Sequence, residues 1–127
     1  MKVVDASAIV DALIGDDRGR RVASHLDDDL YAPCLMQIEV LQVIRRFVAS
    51  SKIRPDVADA IIELFLEAPI EYLSSAAYGQ QVWEWRHSLR PYDATYVALA
   101  LDVGAPLLTT DLRLARAAEQ HVPVIAI

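Results

Sequence analysis

From Tyr92 to Ala117 the chain reads YDATYVALALDVGAPLLTTDLRLARA. The apolar run Tyr92 to Val103 predicts a helix, and Gly104 suits the left-handed residue that follows a helix end. Pro106 precedes a short apolar strand at Leu107-Leu108. Thr109, Thr110 and Asp111 close that strand, and Leu112 to Glu119 predicts another helix. Asp93 and Asp111 thus stand where a helix begins and where a strand ends.

The same grammar extends outward. Lys2 to Val4 is a strand, and Asp5 to Ser7 lead into a helix ending near Gly15. A second helix covers Asp17 to Leu26, and Leu30-Tyr31-Ala32-Pro33 is a strand stopped by proline. From Cys34 to Ser50, Leu35, Ile38, Leu41, Ile44 and Val48 recur every three or four positions, which predicts a helix. Pro55 opens a further helix, with Val57, Ile61, Leu64 and Phe65 as its expected core face and Pro69 at its end. Ile70 to Leu73 is a strand, Ser75 to Ser88 a helix, and Val122 to Ile127 a closing strand. Short strands alternating with helices predict an α/β fold with a mainly parallel sheet flanked by helices.

A length of 127 residues corresponds to one domain, residues 1–127. Hydrophobic residues make up 54% and mean hydropathy is +0.26, an excess that suggests apolar surface buried against another chain. The net charge of −6 argues against a simple nucleic-acid-binding module. Setting aside four candidate metal-ligating acids leaves −2. Nearly all basic residues are arginines, which suit bidentate phosphate contact and equally a solvated helix face. Cys34 is the only cysteine, which excludes an intramolecular disulfide and a multi-cysteine zinc site. No signal peptide and no apolar run of about 20 residues is evident, so a cytoplasmic protein without a membrane segment is expected.

Four acids are candidates to carry chemistry: Asp5, Glu39, Asp93 and Asp111. In an open α/β sheet, the carboxyl ends of strands meet in one crevice. At ~5 Å and an effective dielectric of ~20, each pair of carboxylates there costs about 3 kcal/mol. Protons or hard divalent cations relieve such a cluster, and oxygen-only ligation favours Mg²⁺ or Mn²⁺. Each acid also has a plainer reading. Asp5, Asp93 and Asp111 suit helix starts, as N-caps or as partners of the helix dipole, and Glu39 could edge a buried face. Thr109 and Asp111 would share one face of an extended segment. Arg46, two helical turns beyond Glu39, could reach a phosphate or simply be solvated.

Taken together, Val3-Val4-Asp5-Ala6-Ser7-Ala8, Glu39-Val40-Leu41 with Arg45-Arg46, and above all Tyr92 to Ala117 resemble the PIN-domain nucleases. Within them the resemblance is to the small VapC-like toxins of bacterial toxin–antitoxin pairs, and it covers essentially the whole chain. It implies a three-layer α/β/α sandwich and metal-dependent endoribonuclease activity on RNA. Asp5, Glu39, Asp93 and Asp111 match the family's acidic quartet, and Ser7 and Thr109 its accessory hydroxyls. Some members carry a further acid after the fourth; here Leu112, Arg113 and Leu114 follow Asp111. One or two Mg²⁺ or Mn²⁺ ions in the quartet would hold the scissile phosphate and activate water, whereas the plainer reading of Ser7 and Thr109 is a strand-end hydrogen bond.

Other carboxylate chemistries fit less well. Ser7 stands where an aspartyl-nucleophile phosphatase usually has its second acid. Lys2 and Lys52 are the only lysines, neither placed as a receiver domain requires, and the four glycines form no phosphate loop. His25, His87 and His121 read as structural or surface residues. Two alternatives remain: a PIN-like RNA-processing nuclease outside any toxin system, and a catalytically silent binding module. A toxic ribonuclease needs restraint, so the expected partner is a VapB-like antitoxin. An arginine could block the acidic pocket, and the helices of residues 34–68 could form a groove for an amphipathic segment. The resemblance also implies a homodimer.

Overall fold

The computed structural model describes all residues, Met1–Ile127, and contains five strands and seven α-helices. In chain order these are β1 (Lys2–Val4), α1 (Ala6–Ile14), α2 (Asp17–Ala23), β2 (Leu30–Pro33), α3 (Leu35–Ala49), α4 (Pro55–Glu67) and β3 (Ile70–Leu73). After a 3₁₀ turn at Ala76–Tyr78 come α5 (Gly79–Glu84), α6 (Pro91–Val103), β4 (Leu107–Thr109), α7 (Leu112–Ala118) and β5 (Val124–Ala126). The sheet order is β3-β2-β1-β4-β5 and every neighbouring pair is parallel. The expected α/β sheet is therefore present, and parallel throughout.

The central strands are apolar on both faces, as a sheet covered on both sides requires. Val3, Val4, Leu107 and Leu108 are completely buried, each contributing about 1.5–3 kcal/mol relative to exposure. Helices α1 to α4 pack on one another, while α6 packs on α5 and crosses β1, β2 and β4. Because parallel crossovers are right-handed, α1–α4 cover one face and α5–α7 the other. Residues 94–100 of α6 are all buried, which explains a helix without a polar stripe. Gly104 ends it at φ 68°, in the left-handed region where glycine carries no Cβ penalty. Gly19 serves a different need, since a Cβ there would lie 2.0 Å from the Asp11 carbonyl oxygen.

The structure departs from expectation in several places. Helix α2 stops at Ala23, and the predicted helix over 75–88 divides into a 3₁₀ turn, the short α5 and a turn. More importantly, α3 buries Met36, Val40 and Ile44, whereas Ile38 is 69% exposed. Leu41 is also exposed. Apolar residues fall on more than one side of this helix, so periodicity admits two faces, and packing on the sheet selects the one spaced every fourth residue. In α4, Ile61 and Phe65 are buried as expected, joined by Ala58, but Val57 and Leu64 point outward. No helix is long and apolar enough to cross a membrane.

Candidate active site

Strand order reverses beside β1: β2 and β3 lie on one side, β4 and β5 on the other. Carboxyl ends at such a switch point open into a crevice. Asp5 leaves β1 there, and Thr109 ends β4 beside it. Backbone pairing locks the two ends together, with the Asp5 N–H donating to the Leu108 carbonyl at 3.0 Å.

Asp5 is only 6% exposed. It starts α1, yet its side chain makes no capping hydrogen bond. Its Oδ2 instead accepts from the Ser7 hydroxyl at 2.5 Å and the Thr109 hydroxyl at 2.7 Å, and these two hydroxyls lie 3.2 Å apart. Burial pushes its proton affinity above the carboxylate norm, the two hydroxyls pull it down, and Asp111 pushes it up again. The hydroxyls are therefore tied to Asp5; both continue into the loop, with Thr109 Oγ1 accepting from the Asp111 N–H at 3.0 Å and Ser7 Oγ from the Thr110 N–H at 3.3 Å.

Glu39 sits half-buried on α3. The Tyr96 hydroxyl donates to its Oε1 at 2.6 Å, which fixes the direction of the acid. Burial raises its pKa, Tyr96 opposes that, and Asp5 and Asp93 raise it further. Asp93 lies in the first turn of α6, where Arg90 occupies the capping position. Its pKa is also raised, by burial first and then by Asp5 and Asp111, with Arg113 and Arg90 opposing. Asp111 does cap α7: its Oδ1 accepts from the Arg113 N–H at 2.9 Å and the Leu114 N–H at 3.1 Å. The capping reading thus holds for one oxygen of Asp111 and fails for Asp5.

The four acids sense one another electrostatically, but they are not equivalent. Oε2 of Glu39, Oδ2 of Asp111 and both oxygens of Asp93 face outward without a protein hydrogen bond, and none is a buried orphan. As they stand, no three acidic, histidine or cysteine side chains are grouped tightly enough to hold one ion. These facts concern different distances: charge coupling acts over several ångströms, whereas coordination to Mg²⁺ requires about 2.1 Å. The donor set, all carboxylate and hydroxyl oxygen, fits a hard divalent cation, and such a cation would offset the burial and the lesser repulsion that together raise three of the acids.

Two supporting residues were not legible as part of the site. Tyr96 reads as core, and it is fully buried, but a buried tyrosine also needs a partner for its hydroxyl. Asp11 accepts from the Thr110 hydroxyl at 2.5 Å and from Arg18 at 2.9 Å. One helical turn beyond Ser7, it shares that residue's face of α1; the spacing was the available signal. Arg46 is exposed, forms no ion pair and lines a cavity of about 490 Å³ with Glu39 and Tyr92.

Residues 2–120 match the family model described as "PIN domain". The chain is 40% identical over 118 residues to Ribonuclease VapC1 of Mycobacterium tuberculosis, covering 91% of this chain and 89% of that protein. Among solved structures it is similar to M. tuberculosis VapC20, described as a Sarcin-Ricin loop cleaving toxin, with a TM-score of 0.71, 19% identity and coverage of 92% and 95% of the two chains. It is also similar to a chain of Rickettsia felis VapBC2 bound to a promoter DNA fragment, with a TM-score of 0.67, 14% identity and coverage of 98% and 97%. The last two likenesses concern the fold alone.

Proposed function

The chain belongs to the PIN-domain family, among the VapC ribonucleases, and we propose that it is a metal-dependent endoribonuclease whose acidic crevice cuts RNA phosphodiester bonds. The observation that carries this reading is Asp5. It is a carboxylate buried at a strand end, held by Ser7 and Thr109 rather than by a helix cap. Asp5, Glu39, Asp93 and Asp111 are the proposed ligands of Mg²⁺ or Mn²⁺. When bound, such an ion supplies Lewis acidity toward a phosphoryl oxygen and makes water a competent nucleophile near neutral pH.

The protein's own residues prepare the crevice. Ser7 and Thr109 hold Asp5 in one rotamer, as outer partners of a ligating carboxylate do. Tyr96 aims Glu39 and leaves its second oxygen free. The α7 cap fixes Asp111, again with one oxygen to spare. No protein nucleophile is required, because water can be the attacking group.

A second element of the proposal is an antitoxin partner, with this chain as the toxin of a VapBC-type pair. Leu64 and Leu66 of α4 are 65% and 56% exposed. With the exposed Ile38 of α3, they leave large apolar side chains in water on both helices, and either helix could take an amphipathic segment. The same excess would serve a homodimer.

The reading is tested by incubating purified protein with single-stranded RNA in Mg²⁺ or Mn²⁺, with and without chelator. Metal-dependent internal cleavage, abolished by chelator and by Asp93→Asn, is expected. Cleavage indifferent to both would overturn it.

A further inference from the structure

A concavity of about 350 Å³ opens directly beside Asp93, between the loop that precedes α6 and the start of α7. Arg86, Arg90 and Arg113 line it, together with His87 and Ser88, and Asp93 is its only acid. Acids outnumber bases 18 to 12 in this chain, yet of its ten arginines only Arg18, Arg20 and Arg54 pair with a carboxylate. Arg86, Arg90 and Arg113 are among the unpaired ones, and what sets them apart is that they converge on one concavity from two separate segments.

Two of them are also placed by the proposed metal ligands' own backbone. Arg90 precedes Asp93 by three residues at the start of α6, and Arg113 follows Asp111 by two at the start of α7. Arg86 is held by other means. Its guanidinium lies 4.7 Å from the centre of the Trp83 ring and donates to the Trp83 carbonyl at 2.9 Å, leaving its remaining N–H groups free. Held guanidinium groups lose less entropy on binding and match phosphate oxygens in pairs.

We propose that this concavity is a phosphate subsite for the RNA strand, gripping a backbone phosphate next to the one cut, with Arg86 and Arg113 as the principal contacts. The proposal rests on the ribonuclease reading above and deepens it. It would let an acidic chain bind RNA: the net charge is negative, but the wall beside the acids carries three positive charges, none in a direct ion-pair contact. Backbone phosphates are contacted irrespective of base, so the subsite would position the strand and contribute no sequence preference.

The test is binding of a single-stranded RNA oligonucleotide in chelator, at several salt concentrations, alongside cleavage kinetics in Mg²⁺. Arg86→Ala and Arg113→Ala are each expected to weaken binding about tenfold or more, the scale of a lost charge-assisted contact. Each should lower the salt-dependence slope by about 0.7 and raise KM with kcat nearly unchanged. Arg113→Lys should recover part of the binding, and Arg20→Ala should behave as wild type. All these side chains are exposed, so melting temperatures should not move. Wild-type cleavage with KM and salt slope unaltered in Arg86→Ala and Arg113→Ala would overturn the subsite and leave the nuclease standing. Arginine-dependent RNA binding without cleavage in Mg²⁺ or Mn²⁺ would support the subsite and overturn the nuclease. A wild-type protein that neither binds nor cuts RNA overturns both.

Discussion

The crevice at the ends of β1 and β4 and the outer face of α3 and α4 break the rule of burial in opposite directions. The crevice buries a carboxylate, Asp5, and two threonines, Thr109 and Thr110. The helices expose Ile38 and Leu64. Each arrangement costs stability in the isolated chain, the first through desolvated charge and the second through apolar surface left in water. The crevice's excess charge calls for a cation, and the helices' excess apolar surface calls for another chain. Departures from local consistency of this kind concentrate at functional sites.

The largest effect should follow from removing the charge in the crevice. Asp5→Asn keeps the shape and the hydroxyl partners, and cleavage in Mg²⁺ should fall by more than the roughly 10–100-fold typical of supporting residues. Thr109→Val comes next, losing about 10–100-fold in activity or metal affinity, because Asp5 keeps only Ser7 to orient it. Tyr96→Phe leaves Glu39 without its donor. It should cost about 1 kcal/mol of stability, read by denaturant unfolding, and weaken metal binding.

The crevice also makes a signed prediction about pH. Burial and mutual repulsion raise the pKa of Asp5, Glu39 and Asp93. The folded protein therefore holds these protons more tightly than the unfolded chain. Their favourable contribution is complete below the ordinary carboxylate values of 3.8 and 4.5, and it is lost as pH rises through the elevated folded values. In chelator, Asp5→Asn should melt higher than wild type at pH 7.5, and the gap should close near pH 4. A gap independent of pH would show that Asp5 is not under strain.

The smallest effect on the isolated protein should come from the other region. Leu64→Asp, at an exposed position, should leave stability within about 0.5 kcal/mol and cleavage unchanged, while abolishing capture of the proposed antitoxin. A large loss of stability would mean that this face is core.

The difference between the two regions also explains what could be read from the chain. Strands β1 to β5 and helices α1, α3, α4, α6 and α7 followed from punctuation by Pro, Gly and acids, which act locally. The apolar residues of α3 did not reveal their direction, because Leu35-Ile38-Leu41 and Met36-Val40-Ile44 satisfy helical periodicity equally and only the sheet chooses between them. The acids were visible because each interrupts an apolar run. Their partners were less so. Tyr96 lies 57 residues from Glu39 and Asp11 lies 99 from Thr110, pairings made by topology and not by spacing. Asp111 carried two plausible roles, and its two oxygens divide between them.

Calorimetric titration of Mn²⁺ into the purified protein at pH 7.5 tests the central claim most directly, with Asp5→Asn, Asp93→Asn and Arg20→Ala measured in parallel. Saturable binding by wild type and Arg20→Ala, with at least a tenfold loss in both aspartate variants, is the predicted result. No binding by wild type, or binding that neither aspartate substitution disturbs, would contradict the account of the crevice as a metal cradle.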